Sequence, residues 1–265
     1  MPPVSLARLR PQVNALMSHY EDGALFGKTL LLIFEQYSQK PGLRARVDPA
    51  LPAYNLPPVV LSELETGLEA LARLQPAACA RLADTLWAIP AFESKKLAIF
   101  LLAHLPDSHR EEFIARIRQW FGQDPGGMNE SLIAEFIEQS RHKLEIVASP
   151  AWLGLLRAWI ASDDKRLQRI AMQAAGDLAA NRAFQNLPVV FDLVAPLYSR
   201  PRITLQKDLA DFTRRLIERS QPETASFLIS LVELTQSPSV SALVRKLLPL
   251  FDEYYREEIR KAVVK

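Results

Sequence analysis

The chain has 265 residues, with 32 Lys and Arg against 30 Asp and Glu, a single cysteine, 49% apolar residues and 23% charged ones. That length can bury a sizeable core, and that composition excludes bulk disorder. The longest uninterrupted apolar run, Leu97 to Ala103, is seven residues, too short to span a bilayer, so no membrane is expected as a partner. The N-terminal MPPVSLARLRPQ has no apolar signal core, and Cys79 has no second cysteine to pair with; together these read as a reduced, cytoplasmic protein.

Apolar residues recur at helical spacing through Leu61, Leu64, Leu68, Leu71 and Leu74, then Leu82, Leu86, Trp87 and Ile89, and later Ile203, Leu205, Leu209, Phe212, Leu216 and Ile217. In chain order the pattern predicts helices at about 5–19, 24–38, 57–74, 76–89, 93–105, 108–121, 130–146, 150–162, 165–181, 187–198, 203–219, 222–235, 239–249 and 251–262. Asp107, Ser162, Pro222 and Pro238 stand where helix starts are expected. Only 9 glycines occur, and the 19 prolines read as lying between segments, as at Pro90, Pro106, Pro125-Gly126-Gly127, Pro150 and Pro201. Alternating β-branched runs are scarce, so the fold class is all-α. Helix pairs repeating every 35–40 residues resemble a HEAT or armadillo-like α-solenoid of antiparallel helix pairs, read as one domain over 1–265. The repeat carries no sharp signature, and an irregular helical bundle is the alternative.

Charge is unevenly spread. Residues 1–160 hold 16 basic and 17 acidic side chains, and residues 161–265 hold 16 and 13. Between Arg200 and Arg219, six basic residues (Arg200, Arg202, Lys207, Arg214, Arg215, Arg219) face three acidic ones, a balance compatible with phosphate contacts, although a charged helix face is more often simply solvated. Gly23-Ala-Leu-Phe-Gly27-Lys28-Thr29 is one residue short of a phosphate-binding loop and lies in a helical pattern with no strand before it. His104 and His109 are separated by Pro106 and do not share a helix face, so no metal site is expected. Cys79 lies in an Ala-rich context that suits a small buried residue rather than a nucleophile. No cofactor is expected.

From Trp152 to Ser220 the sequence becomes recognisable. The run Trp159-Ile-Ala-Ser-Asp163-Asp-Lys-Arg-Leu-Gln168-Arg169 resembles the W-I-x-S-D-N, L-Q/R-R motif of the AlkD-like alkylpurine DNA glycosylases. Leu205-Gln206-Lys207 with Asp211-Phe212-Thr213-Arg214-Arg215, and the Ser-Gln-Pro-Glu ending at Glu223, resemble that family's following helix and turn. Upstream, Leu86-Trp87-Ala-Ile-Pro90, Glu93 and Leu97-Ala98 resemble its L-W-x-x-P-x-x-E segment. The matches are ordered over roughly residues 82–229.

The resemblance implies a superhelix of HEAT-like repeats with a basic groove for duplex DNA, and excision of N3- and N7-alkylated purines by hydrolysis of the glycosidic bond. It further implies that a cleft carboxylate and two tryptophans face the deoxyribose, stabilising a cationic sugar, while an arginine holds a phosphate. The arginine corresponds to Arg169, with Lys165, Arg202, Lys207, Arg214 and Arg215 as further DNA contacts. The carboxylate falls on Glu130, one methylene longer than the family's aspartate. Gly126 stands where the first tryptophan belongs, and the second falls on Asp211 or Phe212; Phe212 would keep an aromatic face. Trp120 is a further candidate ring, although it, Trp87, Trp152 and Trp159 read more readily as inter-helix packing. The catalytic site is therefore altered, and two readings remain. The first is a DNA-binding alkylation-repair protein that excises alkylpurines. The second is a non-catalytic scaffold for DNA structures or a protein partner. DNA binding expects Arg169, Lys207 and Arg215 to share one face with their charges available; ion pairs would remove the groove. A scaffold expects an apolar patch there.

Overall fold

The structure is a computed structural model that describes residues 4–39, 51–122, 130–140 and 143–264. Among the described residues every regular element is helical. In order these are α1 (Leu6–Met17), α2 (Gly23–Tyr37), α3 (Pro58–Leu74), α4 (Pro76–Ala88), α5 (Phe92–Ala103), α6 (Arg110–Gly122), α7 (Glu130–Ser140), α8 (Leu144–Val147), α9 (Pro150–Ala161), α10 (Lys165–Ala180), α11 (Leu187–Ser199), α12 (Gln206–Arg219), α13 (Gln221–Thr235), α14 (Pro238–Leu247) and α15 (Glu253–Val264). The all-α expectation is met, and most helix ends lie within two residues of those predicted. Four segments differ. Residues 130–146 form α7 and α8 rather than one helix, and Asp107–His109, Ile203–Leu205 and Leu248–Leu250 are single 3-10 turns. Two prolines also lie inside helices rather than between them, Pro11 in α1 and Pro196 in α11.

The helices gather into two compact units, one holding α1–α7 and the other α8–α15. Within each, a helix packs on its chain neighbour and on the helix two along. In the first unit α1 lies on α3, α3 on α5 and α5 on α7, while α2 lies on α4. In the second, α9, α11, α13 and α15 form one layer and α10, α12 and α14 the other. This is the two-layer stacking of a helical solenoid, and its period is visible in the polar contacts. Tyr54 and Glu93 bond across 39 residues, Arg169 and Asp208 across 39, Arg215 and Asp177 across 38, and Lys246 and Gln206 across 40.

The core consists of the apolar stripes that periodicity picks out. Leu64, Leu68 and Leu71 of α3, Leu82 and Leu86 of α4, and Leu209, Phe212 and Leu216 of α12 are all buried, each contributing about 1.5–3 kcal/mol. All four tryptophans are packing residues. Trp87 stacks on Trp120 with centroids 4.4 Å apart and planes within 1°, joining α4 to α6. Trp152 and Trp159 meet edge to face at 5.7 Å and are 2% and 1% exposed. Cys79 is buried as its context implies, and burial pushes its thiol up to about 12, far from a reactive thiolate. Gly23–Thr29 forms the first turns of α2, where the Asp22 carboxylate already accepts from the Leu25 N–H at 3.0 Å.

Two motif residues are structural anchors. Glu93, in the first turn of α5, is 3% exposed and accepts from the backbone N–H groups of Tyr54 (3.0 Å) and Asn55 (2.7 Å). Phe92 N–H donates to the Pro52 carbonyl at 2.9 Å, so this short pairing fixes the segment entering α3. Gln168 of α10 is 4% exposed, and its Nε2 donates to the carbonyls of Ile160 (3.2 Å) and Ser162 (2.8 Å) at the end of α9. Asp164 caps α10 by accepting from Arg166 N–H at 2.9 Å, and the hydrogen bond from the Arg166 side chain holds its carboxyl below the usual range. Together Trp159, Ser162, Asp164 and Gln168 build the α9–α10 turn. Gln168→Leu strands the two carbonyls and is expected to lower unfolding free energy by about 1–3 kcal/mol, read by urea denaturation.

Candidate nucleic-acid interface

The recognisable segment folds into α9–α13, and its charged residues converge where α10 and α12 pack side by side. An open pocket of about 300 Å³ between them is lined by Arg169, Met172, Gln173, Asp208, Asp211, Phe212 and Arg215. Arg169 and Arg215 therefore share one surface, as expected. Their charges are not free, however. Arg169 Nε donates to Asp208 Oδ2 at 2.9 Å, and its Nη2 reaches the Thr204 carbonyl at 3.4 Å. Arg215 Nη1 donates to Asp177 Oδ1 at 2.7 Å. Arg214 pairs with Asp211 one turn away at 2.8 Å, and Arg202 pairs with Asp163. The expectation of unpaired arginines fails because the repeat period sets a carboxylate of one helix opposite a guanidinium of the other. With two arginines and two aspartates, the pocket lining is electrically balanced, so Arg169 and Arg215 do not form the open basic groove that the resemblance implies.

Gly176 makes the Arg215 geometry accessible. A Cβ there would stand 3.2 Å from Arg215 Cδ, 3.3 Å from Nη1 and 3.4 Å from the Phe212 ring. The arginine lies across the bare backbone of α10 to reach Asp177. Phe212 forms part of the pocket wall but is 3% exposed, so its ring chiefly fills the α10–α12 seam. Asp211, the other candidate for that position, is exposed and paired to Arg214. Glu130 is the first residue of α7, with its side chain outside the described residues, and Gly126 also lies outside them.

Lys165 and Lys207 stand exposed at the starts of α10 and α12 and make no ion pair among the described residues. Sequence reasoning missed two more cations on the same layer, Arg245 and Lys246 in the last turn of α14. Lys246 Nζ donates to Gln206 Oε1 at 2.8 Å, which sets both beside the start of α12. A Lys or Arg one repeat period after Gln206 was the signal available for finding them. Across α10, α12 and α14 nine basic residues stand against four acidic ones, whereas α9, α11, α13 and α15 carry four against six. One layer of this unit is basic and the other acidic.

Residues 54–243 match the family described as DNA alkylation repair enzyme. The chain belongs to the DNA alkylation repair enzyme family. The match takes in both units and all of α3–α13. Membership gives the chain a role related to DNA repair, with DNA as substrate or partner. No curated protein matches the chain. Among solved structures, a crystal structure of an engineered protein is similar at 15% identity and a TM-score of 0.38, covering 77% of this chain and 90% of that one, a likeness too slight to inform the site. Among the described residues no group of three or more His, Cys, Asp and Glu side chains is placed to hold a metal ion, and no helix is long and apolar enough to cross a membrane. His104 Nδ1 is 2.8 Å from the Phe100 carbonyl and its ring stacks on Phe100, while His109 pairs with Glu112.

Proposed function

We propose that this family member binds duplex DNA through the exposed face of α10, α12 and α14 and does so without excising a base. The observation that carries the binding is the segregation of nine basic against four acidic residues onto one layer. Such a surface holds a phosphate backbone without reading its sequence, and counterion release drives association. Lys165, Lys207, Arg245 and Lys246 provide the strongest contacts, because no carboxylate pairs with them among the described residues. Arg169 and Arg215 contribute less. Their pairs are half exposed, each worth about 0–1 kcal/mol, so a phosphate can take over the guanidinium, but Asp208 and Asp177 then face the phosphate.

The burial of the aromatic side chains favours binding over excision. Phe212 is 3% exposed, Trp120 8%, and Trp152 and Trp159 less, so none of these rings offers a broad face to a cationic sugar. The second reading, alkylpurine excision with Glu130 as the carboxylate, is separated by a direct measurement. On a duplex with a single 7-methylguanine, release of the free base over hours is expected to match the spontaneous rate in both the wild type and Glu130→Gln. Release that is faster with the wild type and disappears in Glu130→Gln would overturn the non-catalytic reading and assign the carboxylate.

A further inference from the structure

The acidic layer of the second unit carries a surface that DNA binding does not use. Between α11 and α13 an open pocket of about 410 Å³ is lined by Pro188, Phe191, Asp192, Pro222, Glu223, Ser226, Phe227 and Ser230. Its apolar part is the half-buried Phe227 ring, backed by Phe191, which is itself buried. Phe191 and Phe227 lie 4.9 Å apart with planes 16° from parallel, and Tyr198 meets Phe227 edge-on at 5.4 Å, bracing the stack from within the core. Asp192 and Glu223, both exposed, form its charged rim, and Glu223 also accepts from the Ser220 hydroxyl at 3.3 Å.

The half-buried Phe227 ring, two exposed carboxylates and the lack of a cationic side chain in the lining are complementary to one side-chain chemistry. An arginine lays its stem on Phe227 and spreads five N–H donors toward the two carboxylates, whereas a lysine presents a single point charge. We propose that the α11–α13 pocket docks an arginine-bearing segment of a partner protein. The charge of the layer agrees, with four basic residues against six acidic ones on α9, α11, α13 and α15. The same charge disfavours DNA on this surface relative to the basic layer. The proposal is independent of the nucleic-acid reading, since it uses the other layer.

The test is a calorimetric titration of the full chain with the peptide acetyl-Gly-Arg-Gly-Arg-Gly-amide, and with its lysine counterpart. Binding is expected, weaker for the lysine peptide, and the Asp192→Asn, Glu223→Gln double variant is expected to weaken it about tenfold. Glu233→Gln, an exposed acid on α13 one turn beyond Ser230 and outside the pocket lining, is expected to leave affinity within about twofold, as a nearby charge that does not contact the guanidinium should. Ser230→Trp fills the pocket and is expected to abolish binding while the melting curve and the far-ultraviolet circular dichroism stay unchanged. Absence of binding to the arginine peptide overturns the proposal. So does equal weakening by Glu233→Gln, which would reduce the effect to long-range charge, or full affinity in Ser230→Trp.

Discussion

Glu93→Ala is expected to destabilise the first unit by about 2–6 kcal/mol, because it strands two backbone donors at about 1–3 kcal/mol each. The carboxylate is 3% exposed and is the acceptor for the N–H groups of Tyr54 and Asn55. Its side chain also stands at the positive end of α5, so no cation is needed to compensate its charge. Glu93→Gln keeps one acceptor oxygen and is expected to cost less than half as much. Asn55 sits at φ 53°, in the left-handed region that Asn adopts readily, so loss of this anchor should loosen the entry to α3 through the lost hydrogen bonds rather than through released strain. Urea denaturation of both variants checks the ranking, and amide exchange at Tyr54 and Asn55 checks the location. Equal stability of Glu93→Ala and the wild type would remove Glu93 from its structural role.

Reversing two unpaired charges of the basic layer is expected to weaken duplex binding on the order of a hundredfold at moderate salt, roughly tenfold for each phosphate deprived of its cation. The pair is Lys207→Glu with Arg245→Glu. Both side chains are exposed, and neither makes an ion pair among the described residues, so folding should be unaffected. The slope of log affinity against log salt should become shallower by about two, since each cation removed takes about 0.9 with it. The control carries the same charge change on the other layer, Arg260→Glu with Lys261→Glu on α15. It should leave affinity within a few fold, because screened charge away from the bound duplex acts weakly. Equal losses from the two double variants would mean that net charge alone, and not the α10–α12–α14 face, governs binding.

How much of this was legible beforehand differs between fold and site. Leu64, Leu68 and Leu71, or Leu209, Phe212 and Leu216, announce their helices because burial on one side of a 3.6-residue helix imposes that spacing on any sequence that folds this way. The repeat was harder to see, since solenoid stacking constrains where helices meet and not which residues meet there. It emerges in pairs such as Arg169–Asp208 and Arg215–Asp177, 39 and 38 residues apart. Pro11 and Pro196 show the limit of reading proline as punctuation, because a helix held by its neighbours tolerates one missing bond.

The site was half legible. The motif around Trp159–Arg169 was visible, but most of it builds the α9–α10 turn, with Trp159 in the core, Asp164 capping and Gln168 closing carbonyls. Asp163, Lys165, Arg166 and Arg169 turn outward, and of these Lys165 alone makes no ion pair among the described residues. A count of six basic residues against three acidic ones between Arg200 and Arg219 included Asp208 but could not register that it pairs with Arg169 across the helix seam, nor that Asp177 of the neighbouring helix pairs with Arg215. Nor could it register Arg245 and Lys246, which join the surface only through the packing of α14 on α12. Linear charge windows see neighbours in sequence, whereas electrostatic fields sum neighbours in space.

The central claim is that a basic helix layer of a DNA alkylation repair family member grips the backbone of duplex DNA. The most direct measurement is the affinity of the wild-type chain for one unmodified duplex, followed by fluorescence anisotropy from about 50 to 200 mM salt. Tight binding is expected at the low end, with a linear fall of log affinity with log salt and a slope of about −4 for the four unpaired cations Lys165, Lys207, Arg245 and Lys246. Absence of binding at low salt, or an affinity indifferent to salt, would contradict it.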